Sequence, residues 1–180
     1  MHTRVRTDDR YCAKCGGELE PRVLKPEDHE RLACRECGTI RYLDPRVAAG
    51  TITVHDGGIV LLRRALAPQI GRWVFPGGYV DRGEPVEAAA VRETREEVGL
   101  KVSLIGILDV YSYEGEDVVL IAYSADVIGG ELKAGDEAQE VAVYPPEDLP
   151  WDELGFRTTR EALRDYVRRF YPRVRVPRSE

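Results

Sequence analysis

Residues 78–100 read GYVDRGEPVEAAAVRETREEVGL, and Glu93, Glu96 and Glu97 place three carboxylates within five positions of this stretch. Pro85 suits the first turn of a helix and Gly99 suits the position just past its end, so the residues between them are predicted to form one helix. The opposite side of this helix carries small or apolar residues that suit packing on a sheet: Val86, Ala89, Ala90, Thr94 and Val98.

Residues three and four apart share a helix face, so the three glutamates repel one another there. Arg92 lies four positions before Glu96 and can steady it, but one cation cannot neutralise three carboxylates. Hard oxygen ligands gathered in this way suit Mg²⁺ or Mn²⁺ accompanied by substrate phosphates. A solvated, charge-rich helix face is the alternative for this stretch taken alone.

The residues around this helix alternate between strand and turn patterns. Strands are predicted at 46–54, 59–64, 102–113, 118–128 and 139–144, with a short extended segment at 72–76 and a second helix at 157–171. The glycines of Asp56-Gly57-Gly58 predict a hairpin between the first two strands. Because hairpins outnumber strand–helix alternations, we expect an α/β sandwich with a mixed sheet rather than a doubly wound one.

All four cysteines precede this region, as Cys12 and Cys15 in one pair and Cys34 and Cys37 in the other. Two CxxC pairs predict a tetrahedral four-thiolate zinc site, with iron or two disulfides as the alternatives. A glycine after each pair suits the positive φ of a metal knuckle. We therefore expect a zinc ribbon at 10–44, which is too small to bury a core without a metal, and a larger domain at 45–172.

The charge distribution restricts the partners of the chain. The 180 residues carry a net charge of −6, but residues 46–155 carry −11 and residues 156–180 carry +5. The acidic middle favours divalent cations over nucleic acid. No apolar run is long enough to span a membrane and no signal peptide is evident, so we expect a cytoplasmic protein that binds neither membrane nor nucleic acid.

Residues 78–100 resemble the Nudix box, G-x5-E-x7-R-E-U-x-E-E-x-G-U with U apolar, and depart from it only at Thr94. The preceding GRWVFPGG at 71–78 resembles the usual lead-in of that family. The resemblance implies a Nudix-type α/β/α sandwich and metal-assisted attack of water on a phosphorus of a nucleoside diphosphate derivative. It also implies Mg²⁺ or Mn²⁺ as cofactor, beside structural Zn²⁺ in the ribbon.

The roles implied by the resemblance fall on residues of the box. Glu96 and Glu97 are the expected principal metal ligands, Glu93 a further ligand or the general base, and the carbonyl of Gly78 an additional ligand. Glu84 and Arg92 are expected to pair and brace the helix. Many members add a glutamate from beyond the box, for which Glu137 is preferred here over Glu140.

A four-cysteine ribbon followed by ACRECGTIRYLDPR at 33–46 and a Nudix domain resembles the branch with NADH pyrophosphatases and plastid FAD or ADP-ribose pyrophosphatases. The SQPWPFP-like segment of the NADH enzymes is missing from 103–115, and the proline expected of ADP-ribose enzymes is missing as well. Arg63 and Arg64 are candidates for binding phosphate. Tyr111 and Tyr113 are candidates for stacking on a base, although packing suits them better.

The sequence therefore predicts a hydrolase that cleaves the diphosphate of ADP-ribose, FAD, NADH or a similar small nucleotide. Two other functions stay open at this stage: a non-catalytic nucleotide sensor, and an enzyme that processes NAD-capped RNA 5′ ends. A sensor needs no complete set of three glutamates, and the balanced charge of residues 1–45 offers little to RNA. A homodimer is left open.

Overall fold

A computed structural model describes residues 9–25 and 30–177. The chain divides after Asp44 into two compact units. Among the described residues, neither helix is long and apolar enough to cross a membrane.

The first unit is a small antiparallel sheet with strands in the order β1-β2-β3. These strands are β1 (Leu19–Val23), β2 (Glu30–Cys34) and β3 (Ile40–Arg41). Among residues 9–25 and 30–44, the buried side chains of this unit are few, and two of them are cysteines: Cys12, Leu32, Ala33 and Cys34. So small an apolar core does not stabilise a fold on its own, which agrees with the expectation that a metal holds this unit together.

The second unit contains seven strands and two helices within residues 45–177. The strands are β4 (Arg46–His55), β5 (Gly58–Arg64), β6 (Trp73–Val74), β7 (Gly77–Tyr79), β8 (Leu100–Tyr111), β9 (Val118–Gly130) and β10 (Ala138–Tyr144). The helices are α1 (Val86–Val98) and α2 (Arg157–Phe170), and two short 3-10 turns precede α2 at Pro146–Asp148 and Trp151–Glu153. The sheet runs in the order β10-β5-β4-β9-β8, and only β4 and β9 are parallel. This mixed sheet confirms the predicted fold class.

The predicted hairpin between β4 and β5 forms only at its turn. The two strands pair at Val54 with Ile59 and at His55 with Gly58, and then they separate. Beyond that point β7 pairs with β4 and β6 pairs with β5. Gly77 and Gly78 begin β7, and a Cβ at Gly77 would collide with the backbone of Ala49 and Gly50 on β4, so glycine allows the two strands to approach closely.

The helices cover opposite faces of the sheet. On one face, Leu163 and Val167 of α2 pack in a cluster with Ile52, Leu61 and other buried residues. On the other face, Ala89 and Ala90 of α1 pack against β4 and β9. Because successive side chains of a strand point to opposite faces of the sheet, β4 packs against α2 through Ile52 and against α1 through Ala49.

The departure from the box at Thr94 has a structural reason. Thr53 donates to Thr51 over 3.1 Å, Thr51 and Thr94 share a hydrogen bond of 2.7 Å, and Thr94 donates to the carbonyl of Ala90 over 2.7 Å. All three threonines are fully buried, and each of their three hydroxyl groups has a hydrogen-bond partner within the protein. These bonds fix the height and rotation of α1 on the sheet.

Candidate functional site

The four cysteines of the first unit form one compact cluster. Their Sγ atoms all lie within 4.8 Å of one another. Cys12 and Cys37 are 3.7 Å apart and Cys15 and Cys34 are 3.5 Å apart, far longer than the disulfide bond of about 2.05 Å. A tetrahedron with metal–sulfur bonds of about 2.3 Å has edges of about 3.8 Å, so the thiols fit one tetrahedral ion.

The backbone around the cluster supports this geometry. Gly16 and Gly38 follow the two cysteine pairs, and both have positive φ values, at 78° and 69°. The turns bring the N–H of Lys14 to the Sγ of Cys12 and the N–H of Cys37 to the Sγ of Cys34. Such N–H groups stabilise the negative charge of thiolates.

The second site is built on α1, where Arg92 organises three carboxylates. Arg92 donates two bonds to Glu84, at 2.8 and 2.9 Å, one to Glu93 at 2.8 Å and one to Glu96 at 3.0 Å. Its remaining bond goes to the carbonyl of Tyr79. The guanidinium holds the pKa of Glu84 at about 2, helped by the Asp81 N–H. One cation among three carboxylates leaves net negative charge at this place.

Gly78 lies directly against the carboxylate of Glu93. A Cβ at position 78 would come within 2.5 Å of the Glu93 carboxyl group, so only glycine fits there with Glu93 in this orientation. The backbone of β7 and the side chain of α1 therefore meet at one point. Burial raises the pKa of Glu93, against the opposing effect of Arg92.

Glu97 is the most buried carboxylate of the site, with 6% of its surface exposed. Burial raises its pKa to about 8, the charge on Glu93 adds to this, and a hydrogen bond of 2.7 Å from the N–H of Gly77 opposes it. A buried carboxylate with no counter-ion close by is costly to ionise. Such a group has a strong physical reason to bind a cation.

These carboxylates face a cavity of about 1070 Å³, which is large enough for a nucleotide derivative. Glu93, Glu96 and Glu97 line it together with Gly78. Glu137 reaches the same cavity from the segment before β10, and its charge contributes to the raised pKa values of Glu93 and Glu97.

In each of two candidate pairs, Arg63 with Arg64 and Glu137 with Glu140, one residue lines the cavity and the other does not. Arg64 lines the cavity, whereas Arg63 donates to the carbonyl of Gly71 and to Glu140, and neither Arg63 nor Glu140 lines it. The structure therefore does not bring Arg63 to the site. Adjacent residues of a strand face opposite sides of the sheet, and this alternation separates the two arginines.

The aromatic candidates are held by the protein itself. Tyr111 donates to Asp165 and Tyr113 donates to Glu161, and neither tyrosine lines the cavity. Trp73 is buried in the core edge-on to Tyr144. None of these three residues lines the cavity.

The structure adds residues that the sequence analysis did not single out. The first turn of α2 lines the cavity with Phe156, Arg157, Thr158 and Thr159, and Glu116 and Asp136 line it as well. No local motif marks these positions. Since the start of α2 lies about sixty residues beyond the box, only the folded sheet brings the two together.

The residues present fit divalent metal ions at the carboxylate end of the cavity. Oxygen donors are the ligands that Mg²⁺ and Mn²⁺ prefer, and the excess negative charge there requires a cation. Among the described residues, the four cysteines are the one group of three or more metal-ligating side chains gathered closely enough to hold an ion by themselves. A divalent ion at the glutamates would therefore take part of its ligands from substrate phosphates, as Mg²⁺ usually does.

Comparison with known proteins agrees with this geometry. The NUDIX domain family matches residues 44–169, and the family described as Nudix N-terminal matches residues 10–43. An ADP-ribose pyrophosphatase of Methanocaldococcus jannaschii is 42% identical over 131 residues, which are 71% of this chain and 76% of that protein. A crystal structure of a NUDIX hydrolase from Nitrosomonas europaea matches with a TM-score of 0.85 at 28% identity, over 94% of this chain and 97% of that one.

A second kind of relative is longer than this chain. The NAD-capped RNA hydrolase NudC of Pseudomonas aeruginosa is 30% identical over 145 residues, which are 79% of this chain. The aligned part spans about half of that relative, or 50% of its length. The box helix, the mixed sheet, the four-cysteine unit and the two family matches agree, and the chain belongs to the Nudix family, in the branch that carries an N-terminal zinc ribbon.

Proposed function

We propose that this protein hydrolyses the diphosphate linkage of a nucleoside diphosphate derivative, using a divalent metal bound by the box glutamates. The observation that carries this proposal is the meeting of Glu93, Glu96, Glu97 and Glu137 in one nucleotide-sized cavity. A non-catalytic sensor has no need of so many carboxylates, which would repel the phosphates of its own ligand.

The residues divide the work between binding and proton transfer. Glu96, Glu97 and the carbonyl of Gly78 would hold Mg²⁺ or Mn²⁺. The bound metal would neutralise charge on the diphosphate and lower the pKa of the attacking water. Glu93 or Glu137 would accept the proton of that water, since both face the cavity.

Glu84 and Arg92 have a supporting role in this proposal. Their two-bonded ion pair connects the loop before α1 to the helix and keeps Arg92 beside Glu93 and Glu96. Such a pair fixes the direction of the carboxylates before the metal arrives.

For the substrate, we place ADP-ribose and FAD ahead of NADH. The missing SQPWPFP-like segment supports this order, as does the 42% identical relative named ADP-ribose pyrophosphatase. The test is a screen of ADP-ribose, FAD, NADH, nucleotide sugars and dinucleoside polyphosphates with Mg²⁺ and with Mn²⁺. Released monophosphate is read after phosphatase treatment, and ¹⁸O-labelled water identifies the phosphorus that is attacked.

Two results of the screen would contradict the proposal. No turnover of any diphosphate would contradict the proposed reaction. A kcat/KM for NADH more than about tenfold above the others, equal to about 1.4 kcal/mol of transition-state binding, would overturn the substrate order.

NAD-capped RNA is a second candidate substrate because relatives carry that name and residues 156–180 carry a net charge of +5. If RNA beyond the cap were bound by these arginines, capped RNA would be cleaved faster than NAD, and the advantage would fall steeply with salt. We expect no such advantage, because the cavity itself is rich in carboxylates.

In the first unit, we propose that one zinc ion is bound by the four cysteines and has a structural role. The tetrahedral spacing of the thiols supports zinc, and the small core explains why a metal is needed. A four-cysteine metal site is more typical of a reducing compartment than of an oxidising one, which supports a cytoplasmic location.

A further inference from the structure

The start of α2 faces the cavity with unused hydrogen-bond donors. The backbone N–H groups of residues 157–159 have no partner within the helix, and no described residue accepts a hydrogen bond from them. The residue that precedes the helix is Phe156, which offers no capping oxygen, and the first turn has no acidic residue. The positive end of the helix dipole is therefore not neutralised from within the chain.

Thr159 adds an unpartnered and almost fully buried polar side chain at the same place. It is 3% exposed and lines the cavity, and its hydroxyl makes no hydrogen bond to any described residue. Unlike the Nε of Arg160 beside it, the Oγ1 of Thr159 is not itself closed off from solvent, so this hydroxyl is open to a ligand in the cavity. For comparison, the buried Thr94 on α1 donates to the carbonyl four residues earlier.

Arg157 places a positively charged guanidinium at the same turn, where Tyr113 and Glu161 fix its position. Its guanidinium lies 3.8 Å from the centre of the Tyr113 ring, and its Nε donates to Glu161 over 2.9 Å. Tyr113 donates to the second oxygen of Glu161, so the three side chains hold one another in place. The terminal amino groups of Arg157 make no hydrogen bond to any described residue and remain free to bind an anion.

Arg64 connects this turn to the carboxylate end of the cavity. Its guanidinium lies over the Phe156 ring at 5.3 Å, and its charge also acts on Glu97. Positive groups therefore lead from Glu97 to the start of α2. This is the charge pattern that suits a diphosphate with one phosphate at the metal site and the other further along.

We propose that the first turn of α2, formed by Arg157, Thr158 and Thr159, is a phosphate subsite that binds the phosphoryl group of the diphosphate not held by the carboxylate-bound metals. This inference rests on the proposed function. Backbone N–H groups at a helix start, a hydroxyl and a guanidinium are the donors that bind phosphate oxygens in proteins.

Binding of inorganic phosphate to the intact 180-residue chain tests the subsite apart from catalysis. The measurement is made with zinc in place and no divalent activator, so that the carboxylates repel phosphate and only the α2 turn attracts it. We expect the amide NMR signals of residues 157–159 to shift with a Kd in the millimolar range, on the order of 1–10 mM. Glu116→Gln, which removes a carboxylate from the cavity wall, should tighten this binding.

Matched variants make the test specific. Thr159→Val keeps the shape of the side chain and Arg157→Gln removes an exposed charge, and each should weaken phosphate binding by about fivefold or more. Arg169→Gln removes the same charge from the last turn of the same helix and should change the Kd by less than twofold. Arg157 is 60% exposed, so its variant should fold even if Thr159→Val does not.

Kinetics then assign the subsite to the diphosphate. The same two variants should raise KM for ADP-ribose about fivefold and raise it equally for 2′-phospho-ADP-ribose. A loss confined to the second substrate would overturn the assignment, because the subsite would then bind a phosphate elsewhere on the molecule. The proposal is also refuted if phosphate leaves these amide signals unmoved, or if adenosine shifts them as strongly as AMP does. Inactivity towards all diphosphates with normal phosphate binding would instead contradict the proposed reaction alone.

Discussion

Replacing Glu97 with glutamine should separate stability from catalysis. In the protein without a divalent activator, the Glu97 carboxyl group has a pKa of about 8, compared with an ordinary value of 4.5. Because the pKa of Glu97 is higher in the folded state than in the unfolded state, its contribution to stability is fully present below about pH 4.5, where both states are protonated. The contribution is lost progressively as pH rises from 4.5 towards 8. Glutamine resembles the protonated acid at every pH.

The size of the effect follows from the pKa difference. At 1.36 kcal/mol per pKa unit, the change from 4.5 to about 8 corresponds to about 5 kcal/mol for a rigid, dry site. At pH 8.5 the carboxyl group is ionised in the unfolded state and largely ionised in the folded state, so we expect Glu97→Gln to stabilise the metal-free protein by about 3–5 kcal/mol at that pH. For a chain of this size, that is a rise in Tm of roughly 6–20 °C.

The assay compares melting temperatures at pH 5.5 and 8.5 and then measures turnover. At pH 5.5 the variant should melt only about 3–6 °C above wild type, because the folded-state carboxyl is still protonated and only the ionisation of the unfolded state, about one pH unit above 4.5 and worth about 1.4 kcal/mol, counts against wild type. With saturating substrate and Mg²⁺, kcat of the variant should fall about a hundredfold or more, since metal-borne charge neutralisation supplies several kcal/mol at the transition state. Glu87→Gln, an exposed change on the same helix, should leave turnover nearly unchanged and shift Tm only slightly.

Two results would refute this reasoning. If Glu97→Gln lowered Tm at pH 8.5, the ionised carboxylate would be stabilised by the fold, contrary to the cause given for its pKa. Near-normal turnover would mean that Glu97 does not hold the catalytic metal.

Three further changes test other parts of the structure. Cys34→Ser should reduce the zinc content from about one ion per chain to near zero, as measured by elemental analysis, and a disulfide found by mass spectrometry in fresh wild-type protein would contradict the zinc assignment. Gly78→Ala should lower kcat/KM about tenfold or more because its Cβ displaces the Glu93 carboxylate, whereas Gly106→Ala, which meets open space, should have no such effect. Arg92→Lys cannot reproduce the two-bonded pairing with its carboxylate partner and should lower stability by about 1–3 kcal/mol in denaturant unfolding, while full retention of stability would show that the network is dispensable.

The sequence alone determined the parts of this protein that depend on spacing within one element. The three-and-four spacing of Glu93, Glu96 and Glu97 places them together on any helix, and the structure shows them lining one cavity. The two CxxC pairs likewise limit the thiols to a few arrangements, and the observed cluster is one of them. Turn residues and strand patterns predicted the long strands, both helices and the mixed sheet, but not the short strand β7.

Only the tertiary structure decided which of several equivalent residues reach the site. The sequence gives no reason to prefer Arg63 or Arg64 as a site residue. In the folded protein, successive side chains of β5 lie on opposite faces of the sheet, so Arg63 binds Glu140 and Arg64 lines the cavity. The start of α2 joins the site through the packing of the sheet, because contacts between distant segments depend on strand order and register rather than on local sequence. The raised pKa of Glu97 arises in the same way, since burial is a property of the surrounding fold and not of the residue.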